Sequence, residues 1–175
     1  MRWQPLLLNG HIIPLNQTPI VKTLLWPDES ACQAFAHHLA QQPALHQALL
    51  CLQGDLGSGK TTFTRYLLQA LGVTGRIKSP TYALVEPYEL THGDQLLRVW
   101  HFDFYRFKDP HEWEDAGFRD IFGSPGLKIC EWPDKAAGFL PAPDLDMQLT
   151  AHPDLSREVR ITALSPVGNA LLNGI

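Results

Sequence analysis

Apolar residues along this chain switch between the two periods that mark strands and helices. Ala48-Leu49-Leu50-Cys51-Leu52 is an unbroken apolar run, the pattern of a parallel strand buried on both faces. After a glycine-rich stretch, Phe63, Tyr66, Leu67, Ala70 and Leu71 recur at helical spacing, and Gly72 is placed to end that helix. Upstream, Asp28 is a cap for a helix whose apolar face is Ala31, Phe35 and Leu39 and which Pro43 ends. Residues 73–80 form a polar connector. Thr81 to Leu90 and Leu96 to Asp103 then read as an antiparallel hairpin about the turn Thr91-His92-Gly93-Asp94. Asp109-Pro110 opens a short helix through Ala116, with Gly117 behind it. Leu127 to Glu131 is a second buried run. Asp146–Thr150 and Arg157–Ala163 alternate as strands, and a short helix closes the chain.

The stretch between the first buried run and its helix is Gly54-Asp55-Leu56-Gly57-Ser58-Gly59-Lys60-Thr61-Thr62, a match to G-x-x-x-x-G-K-S/T in its strand–loop–helix setting. The three glycines let the backbone curl around a phosphate with its N–H groups pointing inward, and the following helix adds its positive dipole end. Lys60 supplies a charge for the β- and γ-phosphates, and the Thr61 hydroxyl is placed for Mg²⁺. The expected ligand is a nucleoside triphosphate, ATP or GTP. Strands mixed with helices around such a loop predict an α/β fold, a three-layer P-loop NTPase-like domain with a mixed parallel/antiparallel sheet.

Length and composition narrow the picture. At 175 residues the chain is read as a single domain over 27–175, preceded by an N-terminal extension, 1–26, that contributes a short edge strand. A formal net charge of −4 gives no broad electrostatic footprint for nucleic acid. No apolar segment reaches the roughly 20 residues of a membrane span, and polar residues interrupt the first 26 where a signal peptide needs an apolar core. Cys32, Cys51 and Cys130 read as buried free thiols in a reducing compartment, and the histidines make no metal-ligand spacing with them. A cytoplasmic protein is expected.

Hydrolysis needs a metal held by an acid and a group that orients water. Two strands end in an acid, at Asp103 and at Glu131, where an open α/β sheet presents its ligand groups. Taken singly, each is equally well a solvated strand end; together they predict that at least one faces the metal. Thr81, in Ser79-Pro80-Thr81, is either a switch residue that senses the γ-phosphate or the hydroxyl of a turn around proline, and spacing alone favours the turn. Arg106 is a charge for phosphoryl transfer or a surface ion pair. Trp132 covers a nucleotide, docks a partner or packs in the core, the last being the simplest. Trp113 belongs to packing or partner contact, and His101 is most simply a strand residue.

The ordered set of motifs resembles the TsaE (YjeE) family. Gly54 to Thr62, Lys78-Ser-Pro-Thr-Tyr82, Leu84 to Tyr88, His101-Phe-Asp-Phe-Tyr-Arg106, Asp109-Pro110 before a Glu-containing helix and Glu131-Trp132-Pro133 all fit, over residues from about 27 onward. The resemblance implies a bacterial ATPase of the tRNA threonylcarbamoyladenosine pathway that binds ATP and Mg²⁺ and hydrolyses slowly alone. It implies two partners, TsaB and TsaD, which carry threonylcarbamoyl transfer to adenosine 37 of tRNAs reading A-starting codons; tRNA is met through that complex. Carried over motif by motif, residues 54–62 hold the nucleotide, Thr61 and Glu131 are Mg²⁺ ligands, and Asp103 lies at the γ-phosphate. Thr81 becomes the switch threonine, Trp132 sits beside the active centre, and Glu29 belongs to an N-terminal segment that approaches the nucleotide. No arginine is placed in cis for catalysis unless Arg106 serves, which fits slow intrinsic turnover. The same loop also suits a small-molecule or nucleoside kinase, or an ATP-binding adaptor without turnover.

Overall fold

The two apolar runs lie side by side in the interior of a seven-stranded sheet, where continuous hydrophobicity is satisfied on both faces. The computed structural model describes residues 7–8, 11–12, 19–92 and 95–174. Strands β1 (Leu7–Leu8) and β2 (His11–Ile12) form a separate antiparallel pair. The main sheet comprises β3 (Ile20–Trp26), β4 (Leu49–Gln53), β5 (Val85–His92), β6 (Gln95–Asp103), β7 (Leu127–Glu131), β8 (Leu145–Ala151) and β9 (Arg157–Ala163), in the order β3-β9-β8-β4-β7-β6-β5. The central strands β8, β4, β7 and β6 are parallel, and antiparallel β9–β3 and β5 extend the two sides. The mixed sheet predicted from sequence is therefore present, and residues 20–26 of the N-terminal segment supply an edge strand.

Helices α1 (Glu29–Ala40), α2 (Lys60–Ala70) and α5 (Pro166–Asn173) share one core with the inward residues Leu50, Leu52, Ile129, Met147 and Ile161. The opposite face carries Leu49, Cys51, Phe102 and Cys130 under α3 (Glu112–Asp115) and α4 (Arg119–Gly123). The result is three layers. Asp28 caps α1 by accepting the Ala31 N–H at 3.0 Å, as its position before an apolar helical period requires. Trp26, Phe35 and Phe63 pack together with centroids 5.4–6.0 Å apart, Trp26 stacked on Phe63 and Phe35 tilted against both, and tie β3, α1 and α2 together. Trp113 is buried against Phe122 and Phe139, so it is a packing residue.

Some local readings are corrected. The first hairpin strand begins at Val85, not Thr81: residues 81–84 turn, and the Leu84 N–H donates to the Pro80 carbonyl at 2.6 Å. Leu84 adopts φ +67°, and its own carbonyl accepts from Asp103 N–H at 3.0 Å, so the strand pairing starts only after this bend. Gly93 and Asp94 of the hairpin turn lie outside the described residues. Pro43 opens a 3-10 helix, Pro43–Gln47, after α1 has already ended. A second 3-10 helix, Pro133–Ala136, and α4 have no clear signal in the apolar pattern. All three cysteines are free and buried, with Cys51 and Cys130 opposite each other in the β4–β7 register. Among the described residues no helix is long and apolar enough to cross a membrane.

Candidate functional site

Parallel register gathers the strand-end acids. Asp103 is paired with Glu131, and Glu131 with Leu52, so both carboxylates come out beside the loop that leaves β4. Both are buried, as is Lys60. The loop turns at Gly54, where φ is +132°, and enters α2 through Gly59 at φ +110°. No side chain caps α2, which leaves its N-terminal end without a side-chain acceptor.

Lys60 Nζ donates to the carbonyls of Gly54 at 2.6 Å and Asp55 at 2.9 Å, and lies 3.8 Å from the centre of the Trp132 ring. Burial lowers its pKa from the ordinary lysine value, while the carboxylates of Glu131 and then Asp103 act in the opposite direction. Trp132 reaches this position because its backbone is left-handed, with φ +58°, immediately after β7; its ring also packs on Tyr105 at 5.0 Å.

Two hydrogen-bonded groups complete the floor. Thr61 Oγ1 donates to Glu131 Oε2 at 2.8 Å, and His101 Nε2 lies 2.9 Å from Glu131 Oε1. Asp103 Oδ2 accepts from Thr81 Oγ1 at 2.8 Å and from the Ser79 hydroxyl, while Asp103 Oδ1 accepts the Tyr105 N–H at 2.9 Å. Thr81 thus belongs to a tertiary cluster, beyond the local turn that its spacing favours. Lys60, Thr61, Thr81, Asp103, Glu131 and Trp132 all line one cavity of about 230 Å³.

A second cavity of about 510 Å³ flanks the same loop at Gly57, Ser58, Gly59 and Thr62, and is bounded by Trp26, Cys32, Leu155 and Arg157. Glu29 lines this second cavity, where its Oε1 accepts from the Tyr66 hydroxyl at 2.6 Å, and does not join the Asp103–Glu131 group. Leu56 is exposed at the loop tip, and Asp55 is exposed beside it. Arg106 stacks on the exposed Tyr82 ring at 4.0 Å and does not line the Asp103 cavity.

Three participants escaped the sequence reading. Ser79 stands in the Ser79-Pro80-Thr81 motif, where its spacing gives it no role at the site. His101 has a traceable signal, since alternation along β6 puts it on the same face as Asp103. Arg157, whose Nε donates to the Ser58 carbonyl at 3.0 Å, has none, because 99 residues separate the pair.

The donor set suits magnesium. A hydroxyl and a carboxylate are hard oxygen donors, and an ion that keeps waters and takes substrate phosphate oxygens needs only one or two of them from the protein. Among the described residues no group of three or more His, Cys, Asp or Glu side chains forms a closed cage for a metal.

The family model for "Threonylcarbamoyl adenosine biosynthesis protein TsaE" matches residues 26–159. The chain belongs to the TsaE family. A TsaE relative from Haemophilus influenzae, named as a tRNA threonylcarbamoyladenosine biosynthesis protein, is 36% identical over 151 residues, covering 84% of this chain and 92% of the relative. A Bacillus subtilis TsaE of the same description is 37% identical over 121 residues, covering 69% of this chain and 71% of the relative. The crystal structure of Bacillus subtilis YdiB superposes with a TM-score of 0.68 at 28% identity, covering 88% of this chain and 94% of that one. The TsaE match encloses the glycine loop, Asp103, Glu131 and Arg157, and it ends within β9.

Proposed function

We propose that this TsaE-family chain is a cytoplasmic ATPase that binds Mg-ATP and hydrolyses it to drive or reset a TsaB–TsaD complex. That complex carries threonylcarbamoyl transfer to adenosine 37 of tRNA, and tRNA is met through it. The family's role in threonylcarbamoyladenosine biosynthesis supplies the context. The carrying observation is the convergence of Lys60, Thr61, Asp103 and Glu131, from α2, β6 and β7, on one cavity beside the glycine loop.

In this reading the backbone N–H groups of residues 54–62 receive the phosphates, and Lys60 exchanges the carbonyls of Gly54 and Asp55 for phosphate oxygens. Thr61 and Glu131 would hold the magnesium ion, which when bound would supply positive charge against the phosphates. Asp103 orients the attacking water and accepts its proton as the oxygen bonds to the γ-phosphorus and the bridge to the β-phosphate breaks. Thr81, tied to Asp103, lets the 79–84 turn respond to the γ-phosphate and alter partner contact. Trp132 excludes water over Lys60.

The test is phosphate release from Mg-ATP by the purified chain, with and without TsaB and TsaD, with Lys60→Ala as control. Partner-stimulated release that vanishes in the variant is expected. Lys60-dependent release indifferent to those partners assigns the ATPase to another machine; phosphate carried onto a metabolite makes it a kinase; no release under either condition leaves an adaptor.

A further inference from the structure

We propose that His101 is a positioning residue for the metal site, holding the Glu131 carboxylate in place through a hydrogen on Nε2. The inference rests on the assignment of Thr61 and Glu131 to magnesium. Its basis is a buried three-residue chain. Glu131 uses one oxygen for each neighbour: Oε2 accepts from Thr61 at 2.8 Å, and Oε1 faces His101 Nε2 at 2.9 Å. The His101 side chain has no exposure and that of Glu131 has 2%, so water does not substitute for either contact.

The position of the imidazole hydrogen follows from what surrounds the ring. His101 Nδ1 is buried and has no hydrogen-bond partner among the described residues. Placing the hydrogen on Nδ1 would bury an unpaired donor. It would also set the Nε2 lone pair against a carboxylate oxygen at 2.9 Å. Placing it on Nε2 removes the repulsion and leaves only one bare lone pair, at Nδ1. His101 is then a donor to Glu131.

The consequence concerns the metal. Thr61 donates its one hydrogen to Glu131, which leaves both hydroxyl lone pairs for a cation. That donation requires the carboxylate to hold its orientation; β6–β7 register pairs His101 with Ile129, on the same sheet face as Glu131 two residues on, and from there His101 Nε2 reaches the far oxygen at 2.9 Å. Groups that hydrogen-bond a metal-ligating side chain fix its orientation and tune its affinity, and their loss typically costs about 10–100-fold in metal binding.

Three chains test this: the full-length wild type, His101→Phe, which fills similar volume without a donor, and His101→Gln, whose amide nitrogen reaches the former Nε2 position. Manganese(II) is titrated in the presence of ADP and followed by electron paramagnetic resonance, and ADP affinity is measured separately without divalent metal. His101→Phe is expected to weaken manganese binding about 10–100-fold while leaving metal-free ADP affinity within a few-fold. His101→Gln is expected to recover most of the loss. A merely structural role would lower both affinities together and gain nothing from Gln.

Thr61→Ala separates the two ideas. If it leaves manganese binding intact, the Thr61–Glu131 metal assignment is wrong and the His101 proposal falls with it. If Thr61→Ala loses the metal but His101→Phe keeps wild-type affinity, the His101 proposal alone is overturned. Nuclear magnetic resonance of wild-type protein carrying isotope-labelled histidine reads the hydrogen position without any substitution. A hydrogen on Nε2 is expected, and an Nε2 without one overturns the proposal even if His101→Phe fails to fold.

Discussion

Gly54→Ala should destabilise the protein before any nucleotide is added. A Cβ built on Gly54 would lie 2.2 Å from the Leu149 carbonyl oxygen and 2.8 Å from Ser58 Oγ. The first contact is with backbone of β8, which cannot swing aside as a flexible side chain does. The residue also sits at φ +132°, outside the regions open to alanine. Backbone strain of about 1–3 kcal/mol and forced displacement of packed atoms, about 1–3 kcal/mol, give a combined cost of about 2–6 kcal/mol. For a domain of this size, at about 2–4 °C per kcal/mol, that corresponds to a Tm lower by roughly 4–24 °C. Gly57 is the internal control: it also has positive φ, at +81°, but an added Cβ meets nothing within 4 Å. Gly57→Ala should therefore show only the backbone cost, about 1–2 kcal/mol. The assay is thermal and urea unfolding of both variants without nucleotide or divalent metal. Equal stability of the two variants would refute the argument that close approach to Leu149 requires glycine at 54.

Asp103→Asn preserves shape but removes the proton acceptor; nucleotide affinity by calorimetry should stay within a few-fold while phosphate release falls about 100-fold or more. Unchanged turnover would remove Asp103 from the chemistry. Because Lys60 Nζ rests 3.8 Å from the Trp132 ring centre, nucleotide that draws the ammonium away should alter Trp132 emission. Trp132→Phe should abolish the change, and its persistence would assign it to another tryptophan. At the surface, Asp109 Oδ1 accepts the His111 backbone N–H at 2.9 Å and lies 2.8 Å from His111 Nδ1; the backbone hydrogen bond first and the side-chain one second hold the aspartate below 3.8, and the side-chain one raises the histidine above 6.5. The histidine contribution is full below 6.5 and fades as pH rises through its folded pKa, while that of the aspartate is full above 3.8 and fades as pH falls through its own. The Tm difference between wild type and His111→Asn should therefore be greatest between those values and shrink on either side; a difference independent of pH would refute it.

The strand–loop–helix from residue 48 to 71 was legible because its determinants are local. An apolar run needs burial on both faces, glycine permits positive φ, and a 3.6-residue period sets the helix face. The Asp28 cap and strands β7, β8 and β9 were legible for the same reason. The acids at 103 and 131 were visible as strand ends, but spacing left each equally readable as a solvated terminus. Only the parallel register of β4, β7 and β6 set them side by side next to the loop. The 81–84 turn shows the limit most clearly: the sequence reads as strand from Thr81, whereas hydrogen bonds from Ser79 and Thr81 to Asp103, more than 20 residues away, hold that segment in a turn. His101 and Arg157 likewise take their roles from partners 30 and 99 residues distant. Local sequence determined which residue types were available at the strand ends and in the loop. Tertiary pairing decided which of them meet, because a hydrogen bond between distant residues leaves no period in the chain.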